Sequence, residues 1–359
     1  MIIFVDENIP YLKEALAACG KIITFKGREL TNSDLINNNC HALFTRATTS
    51  VNEWLLVNTD VKFVGTATSG YDHIDRYYLK KKRIQFAYAP GSNANSVAEL
   101  VVYSILKWAK KQSISVKGKT IGVIGYGHIG RIVAEYALRM GMKVIVNDPP
   151  LKSENYKFPD NLNYDELDEL CKSSDIITNH VPFTIEGEYP TYKLIDEKII
   201  GLMTDGTLLI HTSRGGIVDE KPLKERLKSG TLEAVIDVWD NEPLIDIELA
   251  RLAMLSTPHI GGYSRDGKIS GALALANAFK KYSGKKPDTK KMKTILSEYK
   301  PLRKTLFKQE DYLCYLLSKS RNFEFDDNEL RASLYWNDKD RAYQFDLMRM
   351  RYPKRREKL

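Results

Sequence analysis

Cysteine is scarce in this chain of 359 residues: Cys19, Cys40, Cys171 and Cys314 are scattered and show no CxxC spacing. Such usage excludes a disulfide-stapled scaffold and points to a reducing cytoplasm. Histidine is also sparse, six in all, and His41, His73, His128 and His211 offer no metal-ligand spacing, so no metal is expected. No apolar run approaches the roughly 20 residues of a membrane span. The opening Met1-Ile2-Ile3-Phe4-Val5-Asp6-Glu7 turns acidic at once, unlike a secretory signal. Internal repeats and RRM, KH or helix-turn-helix signatures are lacking, which argues against a nucleic-acid partner despite a net charge of +8. Much of that excess lies after residue 280, at Lys280-Lys281, Lys285-Lys286, Lys290-Lys291 and Arg351-Tyr352-Pro353-Lys354-Arg355-Arg356, and reads as solvated surface. With 43% hydrophobic residues the chain is apolar enough to exclude wholesale disorder, and its length calls for two or three domains.

Ile2 to Val5, Ala42 to Thr45 and Lys62 to Thr66 read as short apolar strands separated by helix-compatible stretches, a small parallel α/β unit ending near Pro90-Gly91. Ser96 and Glu99 have capping-box spacing ahead of a long helix through Val101, Ile105, Leu106 and Trp108. Apolar runs at Lys119–Ile124, Lys143–Val146, Asp175–Ile177, Gly206–Ile210 and Glu233–Asp237 then alternate with helical stretches, the pattern of a doubly wound sheet. Residues 265 to 282 read as a helix returning to the first domain, and a Lys- and Tyr-rich module follows Gly284. The expected division is 1–93 plus 265–283, 94–264, and 284–359.

The strand at 119–124 runs directly into Gly125-Tyr126-Gly127-His128-Ile129-Gly130 and a helix, with Asp148 at the end of the next strand. A lone glycine fingerprint is weak, but strand before, helix after and an acid about 20 residues on make a dinucleotide site. Gly125 permits the tight turn, Gly127 the approach of the pyrophosphate, and Gly130 close helix–strand packing. His128 and Ile129 open the helix whose N–H groups face the anion. A carboxylate at Asp148 suits ribose hydroxyls and repels a 2′-phosphate, favouring NAD over NADP.

Three blocks follow: His211-Thr212-Ser213-Arg214-Gly215-Gly216, Asp237-Val238-Trp239-Asp240-Asn241-Glu242-Pro243, and Thr257-Pro258-His259-Ile260-Gly261-Gly262. A guanidinium fork grips a carboxylate in bidentate fashion. An imidazole exchanges a proton near neutrality, and an adjacent carboxylate stabilises its charged form. Arg214, Glu242 and His259 are therefore the catalytic candidates for hydride removal from an alcohol carbon. Asp237 either accepts a hydrogen bond from a nicotinamide amide or merely ends a strand. His180 also follows a strand and is a candidate to line the cofactor cleft, and Thr212 is counted with the cofactor residues.

These residues resemble the D-2-hydroxyacid dehydrogenase family over about the first 280 positions, with Ser69-Gly70-Tyr71-Asp72-His73-Ile74-Asp75 as a further mark. Val5-Asp6-Glu7-Asn8-Ile9-Pro10, Phe63-Val64-Gly65-Thr66-Ala67-Thr68-Ser69-Gly70, Asn147-Asp148-Pro149-Pro150 and His259-Ile260-Gly261-Gly262-Tyr263-Ser264 are similar to its branch acting on a phosphorylated 2-hydroxy acid, 4-phosphoerythronate, in pyridoxal 5′-phosphate synthesis. The resemblance implies a Rossmann-type NAD-binding domain, a flavodoxin-like substrate domain and a C-terminal α+β dimerisation domain that makes a homodimer. It implies Arg214, Glu242 and His259 as active-site residues, and Asp148, Val181, Asp237 and Gly262 at cofactor positions. Thr68 and Tyr263 fall at substrate positions, and the Arg46-Ala47 turn and Ser69-Gly70 are assigned to the substrate too. Ala47 departs from the family's serine, removing a hydroxyl that Thr48 or Thr49 would have to replace. Apolar and aromatic residues Tyr312, Leu313, Tyr315, Leu316, Leu317, Phe323, Phe325 and Tyr343 are expected to bury the subunit interface. The alternatives are a sister enzyme acting on glycerate, hydroxypyruvate or 3-phosphoglycerate, and a non-catalytic NAD-sensing protein of the same fold.

Overall fold

The computed structural model describes residues 1–352 and 355–359; Pro353 and Lys354 of the basic closing segment lie outside the described residues. The chain divides into two compact units, 1–93 with 264–300, and 94–263 with 301–359.

The first unit carries β1 (Ile2–Asp6), β2 (Lys21–Phe25), β3 (Ala42–Thr45), β4 (Phe63–Thr66) and β5 (Gln85–Tyr88). They form one parallel sheet in the order β2-β1-β3-β4-β5, a flavodoxin-like arrangement. Alternation along each strand feeds two cores. Ile3, Val5, Ala42 and Phe44 pack with Ile269, Ala272, Leu275 and Phe279 of the helix Arg265–Ser283, while Phe4, Leu43 and Val64 pack with Leu35 and Leu79 on the other face.

The second unit holds β6 (Thr120–Ile124), β7 (Lys143–Asn147), β8 (Asn163–Tyr164), β9 (Ile176–Asn179), β10 (Thr207–His211), β11 (Leu232–Ile236) and β12 (Leu255–Ser256). The sheet is parallel in the order β12-β11-β10-β9-β6-β7-β8, the Rossmann sequence of strands. β6 lies between β7 and β9, so the winding reverses there and opens a crevice at the strands' carboxyl ends. The helix His128–Arg139 buries Gly130, Val133, Ala134 and Ala137, the i, i+3, i+4, i+7 stripe that faces a sheet. Burying a side chain such as Val133 stabilises by about 1.5–3 kcal/mol.

Three expectations are corrected. Ser96 and Glu99 make no capping box, because the helix Ala94–Gln112 begins before them; both are buried. Ser96 Oγ donates to the Gly261 carbonyl at 2.8 Å, and Glu99 accepts from Arg355 at 2.7 Å. Among the described residues, 284–359 form neither a unit of their own nor an α+β one. Met292 and Ile295 join the first unit's core, while Phe307, Leu313, Leu317, Phe323, Leu330, Leu334, Phe345 and Met348 extend the second unit's two cores. Among the described residues that segment carries helices (Lys290–Ser297, Glu310–Ser320, Phe323–Ser333 and Asp338–Met350) and no strand, as its apolar spacing of three and four dictates. Leu313, Leu317 and Phe323 are accordingly buried within their own chain and not available to a partner, whereas Tyr312, Tyr315, Phe325 and Tyr343 are exposed. Among the described residues no helix is long and apolar enough to cross a membrane.

Candidate active site

Every carboxyl end of the seven-stranded sheet from β7 to β12 delivers a candidate residue except at the two-residue edge β8. Gly125 leaves β6 with φ 88°, and a methyl there would meet Val181 Cγ1 at 2.9 Å. Gly130 lies so close beneath that a Cβ would stand 2.0 Å from the Gly125 carbonyl oxygen. Gly127 is exposed, begins the helix without a side-chain cap, and has nothing within 4 Å of where a Cβ would be. His128 is exposed and Ile129 half-buried at the same helix start, whose N–H groups form a ready anion site. Asp148 accepts from the Tyr126 amide at 2.7 Å and caps the next helix at Leu151 N, 3.0 Å, so it braces the glycine loop. Across the crevice the buried Thr212 Oγ1 and His180 Nδ1 have no protein partner. A cradle that admits no Cβ beneath it, free helix N–H groups and orphaned polar atoms fit a dinucleotide.

His259 and Glu242 meet directly. Nδ1 lies 2.8 Å from Oε2 and 3.0 Å from Oε1. An ionised carboxylate only accepts, so Nδ1 carries the hydrogen and Nε2 is left as the proton acceptor. Burial works to raise the Glu242 carboxyl, but it is outweighed chiefly by His259, with Arg349 at 3.9 Å and the Trp239 amide at 3.1 Å assisting. The group is held below the usual carboxylate range and stays anionic. The Glu242–Pro243 peptide is cis. His259 itself is left-handed, with φ 54°, a conformation that costs a non-glycine residue about 1–3 kcal/mol and persists only where its surroundings enforce it.

Asp237 is one enforcer. It is 2% exposed and accepts from Thr257 Oγ1 at 2.6 Å, Ile260 N at 2.9 Å and Gly261 N at 2.9 Å. Its carboxylate is thus the anchor of the histidine loop, more than the strand ending that spacing alone allows. The buried Trp239 donates its indole N–H to the Thr257 carbonyl at 3.0 Å, tying the same loop to β11.

Arg214 is half-buried after β10 and donates to the Ser213 carbonyl at 2.7 Å. Its loop is interlocked with the Glu242 loop: a Cβ on Gly215 would lie 1.9 Å from the Trp239 carbonyl oxygen, and Gly216 N donates to Asp240 Oδ1 at 2.5 Å. Below them Ser213 Oγ donates to Asn179 Oδ1, and Asn179 Nδ2 lies 3.1 Å from His211 Nδ1. Burial pushes His211 and His180 down to about 3, so both are neutral imidazoles. Asn179 and Arg349 carry no motif and Ser213 stands in one only as a neighbour of Arg214; strand-end placement alone hinted at Asn179. Gly262 and Tyr263 follow, half-buried, with Tyr263 N donating to Ile260 O at 2.9 Å.

In the first unit Arg46 and Ala47 follow β3, and Thr68, Ser69 and Gly70 follow the adjacent β4. Arg46 Nε pairs with the buried Asp6 at 3.2 Å. Thr49 donates its hydroxyl to Gly27 O at 2.8 Å, so of the two candidates to replace the hydroxyl missing at Ala47 only the exposed Thr48 is uncommitted to that bond. Thr68 donates to Gly70 O at 2.6 Å, and Ser69 donates to Asn93 Oδ1 at 2.6 Å. Among the described residues no group of three or more His, Cys, Asp or Glu is placed to hold a metal.

Residues 100–261 match the D-isomer specific 2-hydroxyacid dehydrogenase NAD-binding domain. Erythronate-4-phosphate dehydrogenase of Wigglesworthia glossinidia brevipalpis is 38% identical across 99% of this chain and 92% of its own length. The enzyme of that name from Hahella chejuensis is also 38% identical, over the same shares of the two chains. D-lactate dehydrogenase from Aquifex aeolicus, solved with NAD and lactic acid, superposes with a TM-score of 0.64 at 28% identity, covering 79% of this chain and 96% of its own. The part of the second unit spanning residues 100–261 is therefore the family's NAD-binding domain. A Rossmann sheet with a glycine cradle, a histidine held by a glutamate at its rim, and near-full-length likeness to one enzyme group together place this chain in the D-2-hydroxyacid dehydrogenase family, among the erythronate-4-phosphate dehydrogenases.

Proposed function

We propose that this chain oxidises 4-phospho-D-erythronate to 2-oxo-3-hydroxy-4-phosphobutanoate with NAD⁺, within pyridoxal 5′-phosphate biosynthesis. The observation that carries the reading is the His259 Nδ1–Glu242 pair at 2.8 Å, which leaves Nε2 to receive a proton. Arg214 grips the substrate carboxylate and polarises the developing carbonyl. His259 removes the C2 hydroxyl proton, and the anionic Glu242 stabilises the imidazolium that results. Bound NAD⁺ supplies the acceptor for the hydride that leaves C2. Gly125, Gly127, His128, Ile129 and Gly130 hold its pyrophosphate, Asp148 its ribose, and Val181, Thr212, Asp237 and Gly262 line the rest of its site. Arg46, with the Ala47 turn, binds the substrate phosphate, and Thr68, Ser69, Gly70 and Tyr263 complete the substrate contacts.

The aromatic residues left exposed on the C-terminal helices, Tyr312, Tyr315, Phe325 and Tyr343, support a homodimer, which a monomeric mass by light scattering would overturn. Four free thiols, three of them buried, support a cytoplasmic setting. The function is tested by following NADH formation with 4-phosphoerythronate beside erythronate, glycerate and 3-phosphoglycerate. Preference for the first is expected, and equal or better turnover of another acid refutes the substrate. His259→Ala should lower turnover by about 10²–10⁴-fold; near-normal turnover refutes the proton-acceptor role. Arg46→Ala should raise KM for the phosphorylated acid and spare that for NAD⁺.

A further inference from the structure

The match to the NAD-binding domain family stops at residue 261, yet a side chain from far beyond it reaches the histidine loop. Arg321 follows the helix Glu310–Ser320 and is 2% exposed. Its guanidinium donates through Nη1 to the Gly261 carbonyl at 3.0 Å and the Ser96 carbonyl at 3.2 Å, and through Nη2 to the Ile260 carbonyl. Nε donates to the Tyr352 hydroxyl at 2.9 Å, and that hydroxyl donates on to Asp326 at 3.1 Å. Asp237 takes the Ile260 and Gly261 amides from the opposite side. The peptide joining Ile260 to Gly261 is thereby gripped at both ends, its N–H by a carboxylate and its C=O by a guanidinium. Immediately before it stands His259 in a left-handed backbone conformation that must be enforced from outside. A second arginine of the same segment, Arg349, lies 3.9 Å from Glu242.

We infer that Arg321 is a positioning residue, holding the Ile260–Gly261 peptide against Asp237 and so setting where the His259 imidazole stands relative to Glu242 and the substrate. The inference rests on the proposed role of His259. The C-terminal segment completes the active site of its own chain. Only a planar fork grips two successive carbonyls while a third nitrogen is tethered; a lysine ammonium has no such geometry.

The test uses full-length Arg321→Lys, which keeps the cation and loses the fork. With 4-phosphoerythronate and NAD⁺, kcat should fall about 10²-fold, the effect of a 1 Å misplacement. NADH affinity by fluorescence titration should stay within about twofold, and the isotope effect with substrate deuterated at C2 should rise as hydride transfer slows. Tyr352→Phe, which removes the Nε acceptor together with the donor to Asp326 and leaves the guanidinium fork in place, should move kcat and the isotope effect the same way and less, and it decides the question if Arg321→Lys does not fold. An unchanged kcat and isotope effect in the folded variant overturns the inference. So does a fall in kcat matched by loss of NADH affinity with no change in isotope effect, because that is general loosening. Inert Arg321 substitutions beside a dead His259→Ala leave the proton-acceptor reading standing; an active His259→Ala removes that reading instead.

Discussion

Alanine at Gly127 adds a methyl that meets nothing within 4 Å in the protein, on an extended backbone with φ −81° and ψ −150° that alanine adopts. Thermal stability should therefore stay within the roughly 0.5 kcal/mol range of an innocuous surface change. On the cofactor role proposed for this loop, the methyl instead enters space that the pyrophosphate needs. If it crowds that contact as an overpacked methylene does, about 1–3 kcal/mol of affinity is lost, or about 5- to 150-fold in Kd for NADH. Gly130 behaves in the opposite way. A Cβ there stands 2.0 Å from the Gly125 carbonyl oxygen, and reaching ordinary contact near 3.4 Å requires backbone to move by about 1.4 Å. That overpacking of about 1–3 kcal/mol falls on the fold, lowering Tm by about 2–10 °C. Gly125, with φ 88° and Val181 Cγ1 at 2.9 Å, should suffer both losses. Thermal denaturation and NADH titration on the same preparations separate the cases. A Gly127→Ala protein that loses as much Tm as Gly130→Ala, or that binds NADH normally, refutes the glycine assignment.

Glu242→Gln should lower kcat by about 10²–10⁴-fold, because the Trp239 amide claims the carboxamide oxygen at Oε1 and turns its NH₂ toward Nδ1, forcing the ring hydrogen onto Nε2; a loss under fivefold contradicts the assigned tautomer. Gly215→Ala should impair kcat with the coenzyme still bound, since relieving 1.9 Å from the Trp239 carbonyl moves the Arg214 loop against the Glu242 loop, and steady-state kinetics beside NADH titration checks it. Burial raises the Glu220 carboxyl to about 7 from 4.5, so its stabilising contribution is complete below about 4.5 and is lost as pH rises through about 7. Glu220→Gln keeps the bond from Asp240 N and should gain Tm relative to the parent between pH 5 and pH 8; a pH-independent difference contradicts that.

The central strands were legible because a parallel strand covered on both faces is an uninterrupted apolar run, as Ile121–Ile124 and Leu208–Ile210 are. The strands that escaped notice, β2, β5, β8 and β12, are all sheet edges, where exposed residues such as Lys21 and Gln85 break the run or only two residues pair. The His259–Glu242 contact was legible because both residues follow strands that end at one rim. Arg321 and Arg349 were not, since an arginine inside a lysine-rich tail reads as surface until packing shows it buried against a distant loop. Spacing also misled at Ser96 and Glu99, whose polar groups answer to partners more than 160 residues away.

The left-handed turn at His259 has a practical bearing for whoever seeks a stalled ternary assembly. Alanine would combine chemical incompetence with a backbone it dislikes, so relaxation of the rim would blur what is captured. Asparagine tolerates positive φ better than most side chains and has no imidazole to accept a proton. A His259→Asn protein should keep the rim's shape and let acid and nucleotide lodge together unreacted.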